Sequence, residues 1–503
     1  MLVVDQMRYD FLTRFNPLYD SGFERLLDQG AVFSDVRYDH AATSTGPGHA
    51  TIATGAHPSD SGIVSNSWYD SVLGEEVNCI RDDDYRAVGG LGSRASPLNL
   101  LAGTIGDGLK QEVAGTKVVG VSWKDRSAIL STGRDADAAY WFSTDCGCFV
   151  TSSYYYPEAP EWLTAFNSRN PADAWTGKSW VRLVDDDAFY RDRSREDGFP
   201  TEADGLDLSF PHRLPETAGK PYYDALSGTP FNDELVLGAA LEAMRAHDLG
   251  ADSEPDVLAL GLSATDAVGH RYGPFSQEAM DQHLRLDRLL GRLLDELDSR
   301  VGLEHVVVAL TADHGSIPLV EFLSRQGIDA GRVRSAELSD AVNSALGGDY
   351  VLSRAAGGLY LDFDALEANG RDRAAAERTA REALLGTGLV GEVYTHADLN
   401  RKDAAGDDPY LRLFRNSFYA QRSPHLLLRL KEGYYSGGRY GTGHGTSHDY
   451  DRHVPLILFG QGIRAGRYDA EAGPEDIAPT LGAILGVEVP THDDTRILRE
   501  ALQ

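Results

Sequence analysis

The chain has 503 residues, 42% hydrophobic and 25% charged, which is the make-up of an ordinary globular protein with a large buried core; length alone allows about three domains. Asp and Glu number 77 against 47 Lys and Arg, a formal charge of -30, which argues against a nucleic-acid scaffold or a binder of anionic membranes. No apolar run is long enough to span a bilayer, and the 3 cysteines, Cys79, Cys146 and Cys148, form neither a disulfide framework nor a paired zinc knuckle.

Met1–Val4 reads as a buried strand that opens the chain with no leader ahead of it, and Asp5 follows its end, where α/β sheets place ligands. A helix is predicted over Gly22–Gln29 and a strand near Val32–Val36. Thr45-Gly46-Pro47-Gly48-His49 then opens a helix: Pro47 suits a first turn, and the flanking glycines let backbone amides approach a bound group. Free N–H groups and the helix dipole at such a start favour anions and an ionised hydroxyl, so Thr45 is a candidate nucleophile; the plainer alternative is an N-capping threonine. Asn66 follows in a turn segment, Ser65-Asn66-Ser67-Trp68-Tyr69-Asp70.

Leu98–Glu112 has helical spacing, and the strand Lys117–Trp123 delivers Lys124-Asp125-Arg126, two cations able to converge on one oxyanion or to form a solvated turn. Residues 135–223 are irregular and rich in aromatics and turn residues, and are expected to be an insertion covering the sheet's edge, since they lack the strand-helix alternation found on either side. Within it Cys146-Gly147-Cys148 reads as a tight turn, too closely spaced for an ordinary disulfide. A helix over Asn232–Ala246, a strand over Asp256–Leu262 and a long amphipathic helix over Gln277–Arg300 follow. Asp266 and His270 lie just past that strand, and Asp313 and His314 just past the next one, His305–Leu310. A second insertion, 317–433, precedes His444, which leads into a core strand at His453–Gly460 and a last helix near Gly473–Leu481.

The alternation predicts an α/β fold, a doubly wound and mostly parallel sheet with helices on both faces and two inserted caps, its core made of 1–134, 224–316 and 434–503. Such a sheet gathers its strand ends along one edge. Asp5, Asp266, His270, Asp313, His314 and His444 would meet there: three carboxylates and three imidazoles without a thiolate, a set that suits two divalent ions of the zinc type. A pair of such ions clamps an in-line displacement at phosphorus, with Asn66, Lys124 and Arg126 available for the phosphoryl oxygens.

With those motifs assembled, the chain resembles the alkaline phosphatase superfamily, and within it the bacterial phosphatases with a threonine nucleophile and two zinc ions. The resemblance rests on Val3-Val4-Asp5-Gln6-Met7-Arg8, Thr45–His49, Ser65–Asp70, Lys124-Asp125-Arg126, Thr311-Ala312-Asp313-His314-Gly315, and His444-Gly445 through Tyr450-Asp451 to Val454-Pro455. It implies one zinc on Asp266, His270 and His444, the other on Asp5, Asp313 and His314 with Thr45, and a phosphothreonine intermediate. Asn66, Lys124 and Arg126 would bind the phosphoryl group, no third ion is expected where Lys124 stands, and a periplasmic or secreted location follows from the resemblance alone. His49, His448 and His453 receive no role, with His448 placed behind the ligands or on the surface. The partners implied are small phosphate monoesters; a phosphodiesterase or nucleotide pyrophosphatase of the same fold is the alternative, and a binding protein without turnover the third reading. Sulfatase chemistry is disfavoured because the nucleophile slot reads Thr45-Gly46-Pro47-Gly48-His49.

Overall fold

In the computed structural model, which describes residues 1–203, 207–401, 408–489 and 495–503, ten strands build the central sheet. In chain order they are β1 (Leu2–Val4), β2 (Ala31–Phe33), β3 (Ala87–Val88), β4 (Val118–Ser122), β5 (Ala138–Ser143), β6 (Cys148–Ser152), β7 (Val257–Leu262), β8 (Val307–Thr311), β9 (Leu456–Gly460) and β10 (Gly466–Tyr468). Their order across the sheet is β10-β2-β9-β8-β1-β7-β4-β5-β6-β3. The middle, from β8 to β5, is parallel, and both flanks include antiparallel pairs.

The central strands are short apolar runs buried on both faces, as helices on either side require. Helices α1 (Gly22–Gln29), α4 (Phe231–Ala246) and α5 (Ala264–Tyr272) all pack on the long α6 (Gln277–Arg300). Helix α2 (Thr45–Thr54) instead packs on α3 (Asp125–Leu130) and α7 (Ile477–Leu485).

Register explains why distant residues meet. Strand β1 lies between β7 and β8, with Val3 opposite both Gly261 and Thr311, so the chain leaves all three strands at one edge. Gly261 also pairs with Ser122, which brings Lys124 to that edge. Strand β9 runs the other way, Leu456 facing Thr311, so it begins there, and the loop before it carries His444 to the same place.

Three expectations need correction. Residues 138–152 are not an irregular cover: β5 and β6 extend the sheet itself, Val121 pairing with Tyr140 and Trp141 with Val150. Their Ala, Tyr, Trp and Phe side chains are buried on both faces, so no alternation marks them as strands. Cys146 and Cys148 are joined in a disulfide across the β5–β6 turn, not merely neighbours in it. The helix expected from Leu98 starts only at Ile105, where Thr104 and Asp107 form a capping box that fixes its first turn.

The stretch after β6 caps the sheet through α6: Asp281, fully buried, accepts from Trp180 Nε1 at 2.6 Å and from the Leu183 amide at 2.6 Å. The second insertion has its own four-stranded sheet and its own core, including Leu338, Val342, Leu359, Leu384 and Val393.

Candidate active site

Thr45 is the first residue of α2, and the capping position falls to Ser44, whose side chain makes no capping bond. The Thr45 hydroxyl is thereby free of capping duty and buried, with Lys124 Nζ and Arg126 Nη2 each 3.4 Å from Oγ1. The Gly46 amide donates to Asn66 Oδ1 at 2.6 Å, which occupies the Asn66 oxygen and leaves its NH2 group as the donor end. Gly48 is required by packing: a Cβ there would overlap the Asp313 carbonyl oxygen. The helix start is thus pressed directly against the end of β8.

At that end the carboxylates and imidazoles gather. Asp266, His270 and His444 form one group whose donor atoms all lie within 4.8 Å of one another, and Asp5, Asp266 and His314 form a second. Asp313 adjoins the second group, its Oδ2 3.5 Å from His314 Nε2, and the His314 and His444 rings stack at 3.6 Å. Helix α5 sets Asp266 and His270 one turn apart on one face, their side chains 3.2 Å apart. Lys124 Nζ reaches Asp5 Oδ2 at 2.6 Å and Asp266 Oδ2 at 2.7 Å, so it touches both groups as well as Thr45.

Each histidine is oriented by a backbone carbonyl: Nδ1 of His270 lies 2.7 Å from Thr442 O, Nδ1 of His444 2.8 Å from Thr43 O, and Nδ1 of His314 3.0 Å from Gly315 O. Only a protonated Nδ1 can bond a carbonyl, so in the neutral rings the Nε2 lone pair is turned into the cluster. Burial, then the neighbouring His314 and His270, holds His444 well below the usual imidazole range, and burial likewise lowers His314. The Asp5 carboxyl is pushed far up by burial and then by Asp266 and Asp313. Burial also pushes Asp266 up, but Lys124 and His270 outweigh it and keep that carboxyl ionised.

The residues present fit a pair of divalent ions. Asp5 Oδ1, Asp313 Oδ2 and His314 Nε2 are buried with no hydrogen-bond partner, and the donor set is oxygen and nitrogen without sulfur. The two halves differ in access: side-chain exposure is 0–1% for Asp5, Asp313 and His314 but 40% for His270.

Gln6 received no role from the sequence, nor did three histidines. Gln6, in the left-handed region at φ +64, donates from its amide to Asp313 Oδ1 at 3.0 Å and from Nε2 to Asp266 Oδ1 at 2.8 Å. His49, also without a role, has Nδ1 3.0 Å from Thr45 O and 3.3 Å from Asp313 Oδ2. His448 is buried against Tyr410 with Nε2 3.0 Å from Leu430 O, and His453 stacks on Tyr9. Neither ring of that pair belongs to the donor groups.

The type I phosphodiesterase / nucleotide pyrophosphatase family model matches residues 1–451, and the chain belongs to that family, within the alkaline phosphatase superfamily. It is 33% identical over 510 residues to alkaline phosphatase PafA of Elizabethkingia meningoseptica, covering 97% of this chain and 91% of the relative. It is also 32% identical over 525 residues to a protein of Myroides odoratus named calcium-transporting ATPase, covering 100% of this chain and 94% of that one. The crystal structure of PafA superposes with a TM-score of 0.94 at 32% identity, covering 100% of this chain and 98% of the other; a further structure of that enzyme carries substitutions of a threonine, an asparagine, a lysine and an arginine.

Proposed function

We propose that the protein is a metal-dependent alkaline phosphatase that hydrolyses phosphate monoesters with Thr45 as nucleophile. The observation that carries this reading is the Thr45 hydroxyl at the start of α2 with two cations, Lys124 and Arg126, each 3.4 Å from it. The threonine, asparagine, lysine and arginine substituted in PafA are spaced as Thr45 and Asn66, and Lys124 and Arg126, are spaced here.

A phosphoryl group on Thr45 Oγ1 would meet the Asn66 NH2, the Lys124 ammonium and the Arg126 guanidinium. Two cations suit the two negative charges of a monoester, whereas a diester phosphate carries one. Zinc ions on Asp266, His270 and His444, and on Asp5, Asp313, His314 and Thr45, would supply neutralisation of charge on the attacking and leaving oxygens. Thr45 Oγ1 bonds to phosphorus as the ester P–O bond breaks, and the alcohol leaves with a proton. Water then hydrolyses the phosphothreonine, returning Thr45 and inorganic phosphate. The alcohol would depart on the His270 side, because His270, 40% exposed, is where that half of the donor set reaches solvent, while Asp5 and His314 are buried. Export fits the Cys146–Cys148 disulfide, since disulfides persist in oxidising compartments.

Diester hydrolysis is the second reading, favoured by the description of the family itself. The two separate on kcat/KM for a monoester and a diester of the same alcohol, measured with the zinc-loaded enzyme and a Lys124→Ala, Arg126→Ala double variant. Monoester preference, reduced at least ~100-fold in the double variant with a smaller loss on the diester, is the expected result. Diester preference in the wild type would move the protein to the phosphodiesterases, and inactivity on both would leave a binding protein.

A further inference from the structure

The open half of the donor cluster is bordered by Tyr435, on a short strand, Tyr434–Ser436, that pairs with Gly331–Val333 of the second insertion. A Cβ built on Gly443 would stand 2.9 Å from both Tyr435 Oη and Cε2 and 3.1 Å from His270 Cε1, so phenol and imidazole flank one point immediately before His444. On the other edge of the ring, a Cβ on Gly437 would overlap Tyr435 Cε1 and Cζ. Neither glycine can be replaced without moving the ring.

Behind the ring, the Arg332 guanidinium lies 5.9 Å from its centroid. Arg332 is itself fixed, by Glu321 at 2.6 and 2.9 Å and by the carbonyls of Gly438 and Gly441 at 2.7 and 2.8 Å. The phenol is therefore held by backbone on both edges and by a clamped cation over its face. Among the described residues no hydrogen bond ties down its hydroxyl, and the side chain is half-buried. A rigidly placed hydroxyl beside the side from which the alcohol departs is a contact for that alcohol.

We propose that the Tyr435 hydroxyl hydrogen-bonds a hydroxyl of the leaving alcohol and so sets a preference for monoesters of polyhydroxy alcohols over those of plain alkyl alcohols. The proposal rests on the phosphomonoesterase reading above. A phenol both donates and accepts, which matches a substrate hydroxyl in either sense, and an apolar alcohol gains nothing from it.

The test compares glycerol 2-phosphate with isopropyl phosphate, the same carbon skeleton without the two extra hydroxyls, in the zinc-loaded wild type and Tyr435→Phe. Zinc content and competitive inhibition by inorganic phosphate, which has no alcohol portion, are measured alongside. The wild type should prefer glycerol 2-phosphate, and Tyr435→Phe should lose about three- to tenfold of kcat/KM on it. Isopropyl phosphate turnover, phosphate inhibition and zinc content should stay within twofold. Equal loss on both esters, no loss on either, or a fall in zinc content would overturn the role of Tyr435 while leaving the phosphatase reading in place. A wild type inactive on both esters would instead overturn the parent reading, and this one with it.

Discussion

Gln6 holds Asp266: its Nε2 donates to Asp266 Oδ1 at 2.8 Å, from a backbone that sits in the left-handed region at φ +64. The contact also needs Gly269, because any Cβ there would overlap Gln6 Oε1. A non-glycine residue in this conformation costs about 1 kcal/mol or more, and it persists here because the same residue's amide bonds Asp313 Oδ1. Gln6 thus orients one carboxylate of each proposed zinc set. Gln6→Ala should keep the fold, as judged by circular dichroism, and weaken zinc binding about 10- to 100-fold in competition with a chelating dye. The variant keeps the backbone amide bond to Asp313 Oδ1, so unchanged zinc affinity would mean that Asp266 needs no such support from the Gln6 side chain.

A pH dependence of stability comes from the cap. His212 Nε2 lies 3.0 Å from Glu278 Oε1 on α6, and Nδ1 lies 3.1 Å from Asp207 Oδ2 and 3.2 Å from the Tyr272 hydroxyl. Burial works against the imidazolium, but the bonds to Asp207 and Glu278 outweigh it and raise His212 to about 9. The folded value is above the unfolded one, so this stabilisation is full below about pH 6.5 and is lost as the pH climbs through about 9. Glu202, raised to about 8 by its burial, titrates in the same direction. Urea unfolding of wild type and His212→Gln should therefore show a stability difference that shrinks by ~2–3 kcal/mol between pH 6 and pH 10. Parallel curves over that range would refute the coupling.

Strand ends and their polar residues were readable because a parallel sheet buried on both faces leaves short apolar runs, and Asp5, Asp266, Asp313 and Lys124 follow such runs directly. In the sequence His444 groups with the ends of parallel strands, yet it precedes an antiparallel strand and reaches the same edge because that strand starts there, which no local pattern in the sequence shows. Gln6 was hidden because its role depends on a left-handed backbone and on Gly269, far along the chain. The aromatic strand Ala138–Ser143 was hidden by the lack of alternation that full burial produces. The division of ligands into two sets is likewise a matter of distances: Asp266 belongs to both compact groups, and Asp313 stands just beyond them with one oxygen taken by Gln6.

In the proposed mechanism the phosphoryl group passes through Thr45. Zinc-loaded enzyme mixed with excess monoester, quenched in acid within one turnover and digested, should yield phosphate on the peptide carrying Thr45, and Thr45→Ala should lose both the phosphopeptide and at least ~1,000-fold of kcat. Steady monoester hydrolysis with no phosphate trapped on Thr45, and a Thr45→Ala variant that keeps most of its rate, would contradict passage through Thr45 and leave direct attack by water as the chemistry of this site.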